Sequence, residues 1–336
     1  MLNHITCKHF GPLTDLNWPD LGPINLVIGE NGRGKTFLLK AIYSAMRTLE
    51  EYRRGDEPRS ASEILAQKLY WTFQPDKIGD LVTKGEDKLS FHFQFDNHDF
   101  SYHFGKDTTR QIAMLENHLP PRLSNSIFLP AKEVLSLHHI ILKSREQDKV
   151  FGFDDTYLDL ARALRLSPKK GKNVFEFSES RKTLEEMLGG RVEYDEITGR
   201  WQFKKGNQKF PTGVMAEGVK KIAILDRLLC NRYLDTSSVV LMDEPESALH
   251  PTAISKLLDI VALLAKRGIQ FFLASHSYFV VKKLYLIAQK EHLSIPVLSM
   301  QNGQWTSSDL VNGMPDNSII DASIRLYDDE MDLVLA

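Results

Sequence analysis

Three hydrophobic patterns alternate along the chain, and each predicts a different kind of element. Short runs that are apolar almost throughout predict strands buried on both faces: Ile24 to Ile28, Ser126 to Leu129, Val239 to Met242 and Gln270 to Ala274. Paired apolar and aromatic runs around turn signals predict hairpins: Ile5 to Trp18 about Gly11-Pro12, Lys88–Phe95 and Asp99–Phe104 about Asn97-His98, and Arg191 to Phe210 about Thr198-Gly199. Helical spacing appears over Phe37 to Leu49, from about Glu217 with Val219, Ile222, Leu225 and Leu229 on one face, and from Pro251 to about Lys266. A polar helical stretch follows the first of these helices, and the section from Pro120 to Ser167 is mostly helical after its short strand. Strands alternating with helices imply an α/β fold with a parallel core sheet, and the hairpins imply an antiparallel sheet beside it. The first buried strand opens the chain and the others close it, so the core must be assembled from both ends. No internal repeat and no sustained heptad pattern is present, which excludes a long coiled coil.

Composition narrows the class without naming a function. The chain has 336 residues, 42% hydrophobic and 26% charged, enough for one large domain or two modest ones. Its longest apolar stretches, such as Leu257 to Ala265, fall well short of the roughly 20 residues that span a bilayer, and no signal peptide is visible. Two cysteines, Cys7 and Cys230, are too few for a disulfide framework or a thiolate zinc site; both are expected to be buried, in a reducing cytoplasm. The net charge is -2, which argues against a globally basic nucleic-acid binder. Between Arg162 and Lys221, however, 14 Lys and Arg face 8 Asp and Glu, which suits either a solvated face or a DNA or RNA contact. The acidic Asp328-Asp329-Glu330-Met331-Asp332 reads as a solvent-facing end.

Candidate chemistry begins directly after the first buried strand. Gly29, Glu30, Asn31, Gly32, Arg33, Gly34, Lys35 and Thr36 fit the P-loop pattern G-x-x-x-x-G-K-[ST] at every fixed position. Glycines let the backbone curl so that successive N–H groups make an anion nest at the start of a helix, here the one beginning near Phe37. Lys35 is then expected to reach the β- and γ-phosphates of a nucleoside triphosphate, and Thr36 to supply a hydroxyl to Mg²⁺. The hairpin at Gly11-Pro12 is expected to flank the nucleotide base. A second motif, Val239-Val240-Leu241-Met242-Asp243-Glu244, puts two carboxylates at the tip of a buried strand. This Walker B pattern assigns Asp243 to the metal and Glu244 to the attacking water. His276, one step beyond the strand Phe271 to Ser275, is placed to hydrogen-bond the γ-phosphate, whereas His138-His139 lack such company and read as surface or core positions.

These residues together resemble ABC-type ATPases of the RecF/SMC/OLD branch. The resemblance is carried by His9-Phe10-Gly11-Pro12, by Ile28-Gly29-Glu30-Asn31-Gly32, by Asp-Glu-Pro-Glu-Ser-Ala-Leu-His-Pro over 243–251 and by His276. It covers the first 50 residues and roughly 205–285. What it implies is a head in three parts: an N-terminal half with the P-loop and an antiparallel lobe (1–115), a helical and β insertion lobe (116–205), and a C-terminal half (206–336). In that family two ATPs are sandwiched between two heads, each P-loop being completed by a signature segment of the other. The corresponding stretch here is Met215 to Lys221, where Ala216 lacks the usual hydroxyl and leaves the contact to the Gly218 backbone and the helix dipole. Ser247 to His250 resembles the D-loop at the dimer interface. Gln74 is the candidate for the Q-loop glutamine beside Mg²⁺, with Gln67, Gln94 and Gln111 as competitors. The roughly 180 residues between Thr36 and Ala216 are far too few for SMC arms, and no acidic nuclease cluster of TOPRIM type follows the last strand. Compact heads of this kind resemble the ATPases of anti-phage systems of Septu and PARIS type, which implies ATP-driven control of a separate effector, a nuclease or toxin, by a dimer or higher oligomer. A RecF-like DNA-binding ATPase and a nucleotide-gated scaffold with little turnover are the alternatives.

Overall fold

The structure is a computed structural model, and it describes residues 1–56, 58–167, 177–301 and 303–335. In chain order come β1 (Leu2–Phe10), β2 (Leu13–Trp18), β3 (Ile24–Ile28), α1 (Lys35–Glu51), α2 (Ala61–Phe73), β4 (Lys88–Phe95), β5 (His98–Gly105), β6 (Met114–Asn117) and β7 (Ser126–Leu129). The middle holds α3 (His138–Leu142), α4 (Asp155–Arg165), α5 (Ser178–Leu188), β8 (Arg191–Asp195), β9 (Arg200–Lys205) and β10 (Gln208–Pro211). The last part holds α6 (Glu217–Cys230), β11 (Val239–Asp243), α7 (Pro251–Lys266), β12 (Gln270–Ser275), α8 (Tyr278–Glu291), β13 (Pro296–Gln301), β14 (Gln304–Asp309) and α9 (Ser318–Leu335).

The four apolar runs become neighbours in one six-stranded sheet of order β14-β13-β3-β12-β11-β7, parallel except for β14 at its edge. Because alternate residues of a strand face opposite ways, this sheet feeds two cores. Leu26, Ile28, Val240, Met242, Phe271 and Leu273 face one side, where they pack with α4 to α8. Val27, Leu241, Phe272 and Ala274 face the other, against α1 and a five-stranded antiparallel sheet of order β2-β1-β4-β5-β6. Helix α1 is therefore enclosed between two sheets, which explains why Leu38, Leu39, Ala41, Ile42, Tyr43, Ala45, Met46 and Leu49 are all buried.

Register does the positioning. Ile28 pairs with Ser275, and Ala274 with Asp243, so the residues just after β3, β11 and β12 emerge together at one sheet edge. Two expectations change. Arg191 to Phe210 is not one hairpin but a three-stranded meander, β10-β9-β8, because Gly206-Asn207 makes a second turn. Cys7 is buried, with its thiol pushed up to about 12 by burial and then by Asp15, but Cys230 at the end of α6 is only half-buried.

Candidate nucleotide site

The loop between β3 and α1 takes the shape its glycines permit. Gly32 (φ 78) and Gly34 (φ 90) lie in the left-handed region, which L side chains adopt only with strain. Gly34 also lies under the β1–β2 turn, since a Cβ there would sit 3.0 Å from Pro12 and 3.1 Å from Leu13. Phe37, one residue past the motif, is wedged beneath the same turn, its ring centroid 5.0 Å from Phe10 and 4.4 Å from Phe73. Glu30 and Arg33 form an exposed ion pair at 3.0 Å, and Asn31 faces solvent.

Lys35 is 7% exposed and curls back, donating to the carbonyls of Gly29 (2.7 Å) and Glu30 (2.9 Å). Burial pushes its pKa down, against the pull of Asp243, Glu244 and Glu246. Thr36 Oγ1 donates to both carboxylate oxygens of Asp243, at 2.9 and 3.0 Å. This contact spans 207 residues of sequence and joins the two motifs. Burial raises the Asp243 pKa and Glu244 adds to the rise, while the Thr36 hydrogen bond, Lys40 and Lys35 oppose it. A hydroxyl and a carboxylate converging beside an N–H nest form an oxygen donor set that fits Mg²⁺ with a triphosphate.

Glu244 leaves the strand in the left-handed region (φ 46), its N–H bonded to the Ala274 carbonyl at 2.9 Å. That turn aims its carboxylate at His276, with Oε1 3.4 Å from Nδ1. Two further residues hold this arrangement. Glu246 accepts from Ser275 Oγ (2.8 Å) and from the His276 N–H (3.4 Å), and Lys221 of α6 donates to the Glu244 carbonyl (3.0 Å). Neither was given a role from sequence; both stand inside motif segments, but only the fold places them on the Glu244–His276 pair.

The remaining candidates fall elsewhere. Ala216 is the N-cap of α6 and offers no side-chain hydrogen bond. Gly218 abuts the turn after β11, where a Cβ would meet the Ala248 carbonyl at 2.5 Å. Ser247 belongs to that turn, its N–H bonded to the Glu244 carbonyl at 3.0 Å. Gln74 caps the C-terminus of α2 and is engaged by the segment before α4: its amide donates to the Phe153 carbonyl (3.1 Å) and its oxygen accepts from the Gly152 N–H (3.3 Å). No hydrogen bond joins it to Thr36 or Asp243. His138 is a core residue, pushed down to about 4 by burial and bonded to the Ala161 carbonyl, while His139 is exposed.

A family model described as "AAA domain, putative AbiEii toxin, Type IV TA system" matches residues 24–282, a span that contains the P-loop, the Walker B segment and His276. The chain belongs to this family. Comparison with curated proteins finds no match. Among solved structures, this AAA-domain chain is similar to an SMC head bound to the C-terminal winged-helix domain of ScpA, at 15% identity and TM-score 0.55, covering 92% of this chain and 97% of that one. It is similar as well to an SMC head with an extended coiled coil bound to the C-terminal domain of ScpA from Pyrococcus furiosus, at 13% identity and TM-score 0.51, covering 98% and 99%. The recombination mediator RecF also matches, at 14% identity and TM-score 0.49, covering 91% and 98%. The SMC-head matches, at these identities, speak to fold alone. With the P-loop and Walker B motifs, the family match and the likeness in fold to SMC heads describe an AAA-type P-loop domain, with a mostly parallel core sheet and an antiparallel sheet beside it. Among the described residues no helix is long and apolar enough to cross a membrane.

Proposed function

We propose that the protein binds Mg-ATP on residues 29–36, hydrolyses it, and uses ATP-dependent pairing of two heads to control a separate effector, in bacterial defence against phage. The observation that carries the reading is the convergence of Lys35, Thr36, Asp243, Glu244 and His276 at one sheet edge. In it Lys35 exchanges its two carbonyl partners for phosphate oxygens, Thr36 and Asp243 hold Mg²⁺, Glu244 takes the proton of the attacking water, and His276 donates to the γ-phosphate. Mg²⁺ supplies neutralisation of the developing phosphate charge. The start of α6, with Ala216, Gly218 and the helix dipole, faces the second copy's phosphates, and Ser247 lies in the turn at the pair's interface.

The head is taken as 1–115 and 206–336, with 116–205 as an inserted lobe. The defence role rests on the sequence resemblance and on a family description that names a toxin system. Control of a partner is in keeping with the ScpA domain bound to the SMC head. A cytoplasmic setting suits two free cysteines. Nucleic-acid binding is less favoured, because Arg162, Arg181, Arg191 and Lys220 of the basic segment are each paired with carboxylates of this chain. Lys169, Lys170 and Lys172 lie outside the described residues.

Ala216, without a hydroxyl, favours one second reading: a scaffold that binds ATP with little turnover. Comparing ATP turnover of the wild type with that of Glu244→Gln separates the two. Loss of the base lowers the rate roughly 100-fold or more if the protein is a working ATPase. Equal rates assign it to the scaffold. Lys35→Ala abolishes ATP binding in calorimetry; retained affinity removes the site assignment.

A further inference from the structure

Helix α9 starts on the body and then leaves it. Asn317 caps it, accepting from the Ile319 N–H at 3.0 Å, and Ile319 and Ile320 pack on the core beside α8. From Ile324 to Val334 every residue is exposed, including Leu326 (72%), Leu333 (82%) and Val334 (73%). At about 100° per residue, Ile320, Ile324, Tyr327, Met331 and Val334 form one stripe, flanked by Leu326 and Leu333, while Asp321, Arg325, Asp328, Asp329 and Asp332 share the opposite arc. An isolated helix of this length is marginal in water, so burial of that stripe is its natural source of stability.

Charge decides what can bury it. Glu330 stands inside the apolar face, one turn from Leu326 and Tyr327 and one from Leu333 and Val334, so a surface that covers the stripe also covers this carboxylate. A buried carboxylate is strongly unfavourable without a cation beside it. The outer helix carries five acidic residues, Asp321, Asp328, Asp329, Glu330 and Asp332, against one Arg. A second α9 would set like charges against each other, and an anionic lipid surface would repel them. The first turn of the helix also meets the nucleotide loop: Asp321, Asn317 and Asp316 line one cleft with Glu30, Arg33 and Gln301. The base of α9, not its exposed outer turns, thus lies beside the P-loop.

We propose that α9 is the docking helix for a partner protein that offers an apolar groove with a Lys or Arg at its centre, in the helix-in-groove manner. The proposal is independent of whether ATP is hydrolysed. The test places a photo-crosslinking amino acid in the full-length chain, in its own host cell, at Leu326, at Leu333 or, on the opposite arc, at Asp332. A product with a different protein is expected from 326 and 333 and not from 332. Its yield falls about ten-fold or more with Glu330→Lys, which sets cation against cation, and is unchanged by Asp329→Lys. Melting temperature and ATP binding stay at wild-type values in every variant, because residues 324–334 are exposed in the fold.

A product made of two copies of this chain, no product, equal products from all three positions, or indifference to Glu330→Lys overturns the proposal. So does pelleting of the purified protein with vesicles of three parts phosphatidylcholine to one part phosphatidylglycerol.

Discussion

Gly218 shows how much a single missing methyl group decides. It sits in the first turn of α6 with the Ala248 carbonyl and a Leu249 methyl where a Cβ would be, each at 2.5 Å, and backbone cannot move aside as a flexible side chain can. Three residues on, Lys221 holds the Glu244 carbonyl, so the first turn of α6 is joined to the Walker B turn at two points. Gly218→Ala must push them apart. We expect a loss of about 1–3 kcal/mol in denaturant unfolding, with a lower turnover because Glu244 shifts relative to His276. Unchanged stability would mean that the turn has room the structure does not show. Glu244 and Ala248 also hold left-handed backbone (φ 46 and 61) within five residues, strain of the kind that persists where surrounding contacts enforce it.

At the level of elements, α1 is tied to α2 and α4 by ion pairs as well as to β11 through Thr36. Arg47 and Lys68 of α1 and α2 converge on Asp159 of α4, at 3.0 and 3.1 Å, and Tyr43 donates to the same carboxylate. Lys40 of α1 reaches Asp154, the residue that caps α4, at 2.6 Å. Burial alone would raise the Asp159 pKa, but Lys68, Arg47 and the Tyr43 hydrogen bond outweigh it and hold the carboxyl well below the usual carboxylate range. A group whose folded pKa is depressed adds stability above its unfolded pKa of about 4, lost as pH falls through the folded value. Asp159→Asn leaves Arg47 and Lys68 under-compensated, and a cost of about 3–5 kcal/mol at pH 7 is expected from urea unfolding. The wild type then loses that margin on acidification below about pH 4, and the variant, lacking it already, shows a flatter acid limb. Equal stability at pH 7 would make the cluster incidental.

For the whole molecule the consequence is a site built from both ends of the chain, with β3 and α1 from one and β11, β12 and α6 from the other. In the reading proposed above, the start of α6 completes the phosphate site of a second copy, so the Glu244→Gln protein held with ATP and Mg²⁺ should elute from size exclusion at twice the mass of the nucleotide-free form. A monomer under those conditions would show that pairing needs another component.

The P-loop, the Walker B carboxylates and His276 could be read directly from sequence because each is a local signal: a glycine spacing, or polar residues at the tip of an apolar run. The four buried strands and the first two hairpins were legible for the same reason, since periodicity is set by neighbours in the chain, while the third turned out to be a meander. Less was visible where the deciding contact is distant. The β13–β14 pair has weak alternation and finds its place only by pairing with β3. Glu246, Lys221 and the Arg47–Lys68–Asp159 cluster look like ordinary surface charges until packing removes them from water. Sequence alone thus determined which local motifs the chain carries and which residues are candidates for a triphosphate, because glycine, lysine and carboxylate chemistry is local. Strand order and register decided that Thr36 meets Asp243, 207 positions away, and that Glu244 faces His276, because the pairing of β12 with both β3 and β11 brings together segments that no short stretch of sequence can align.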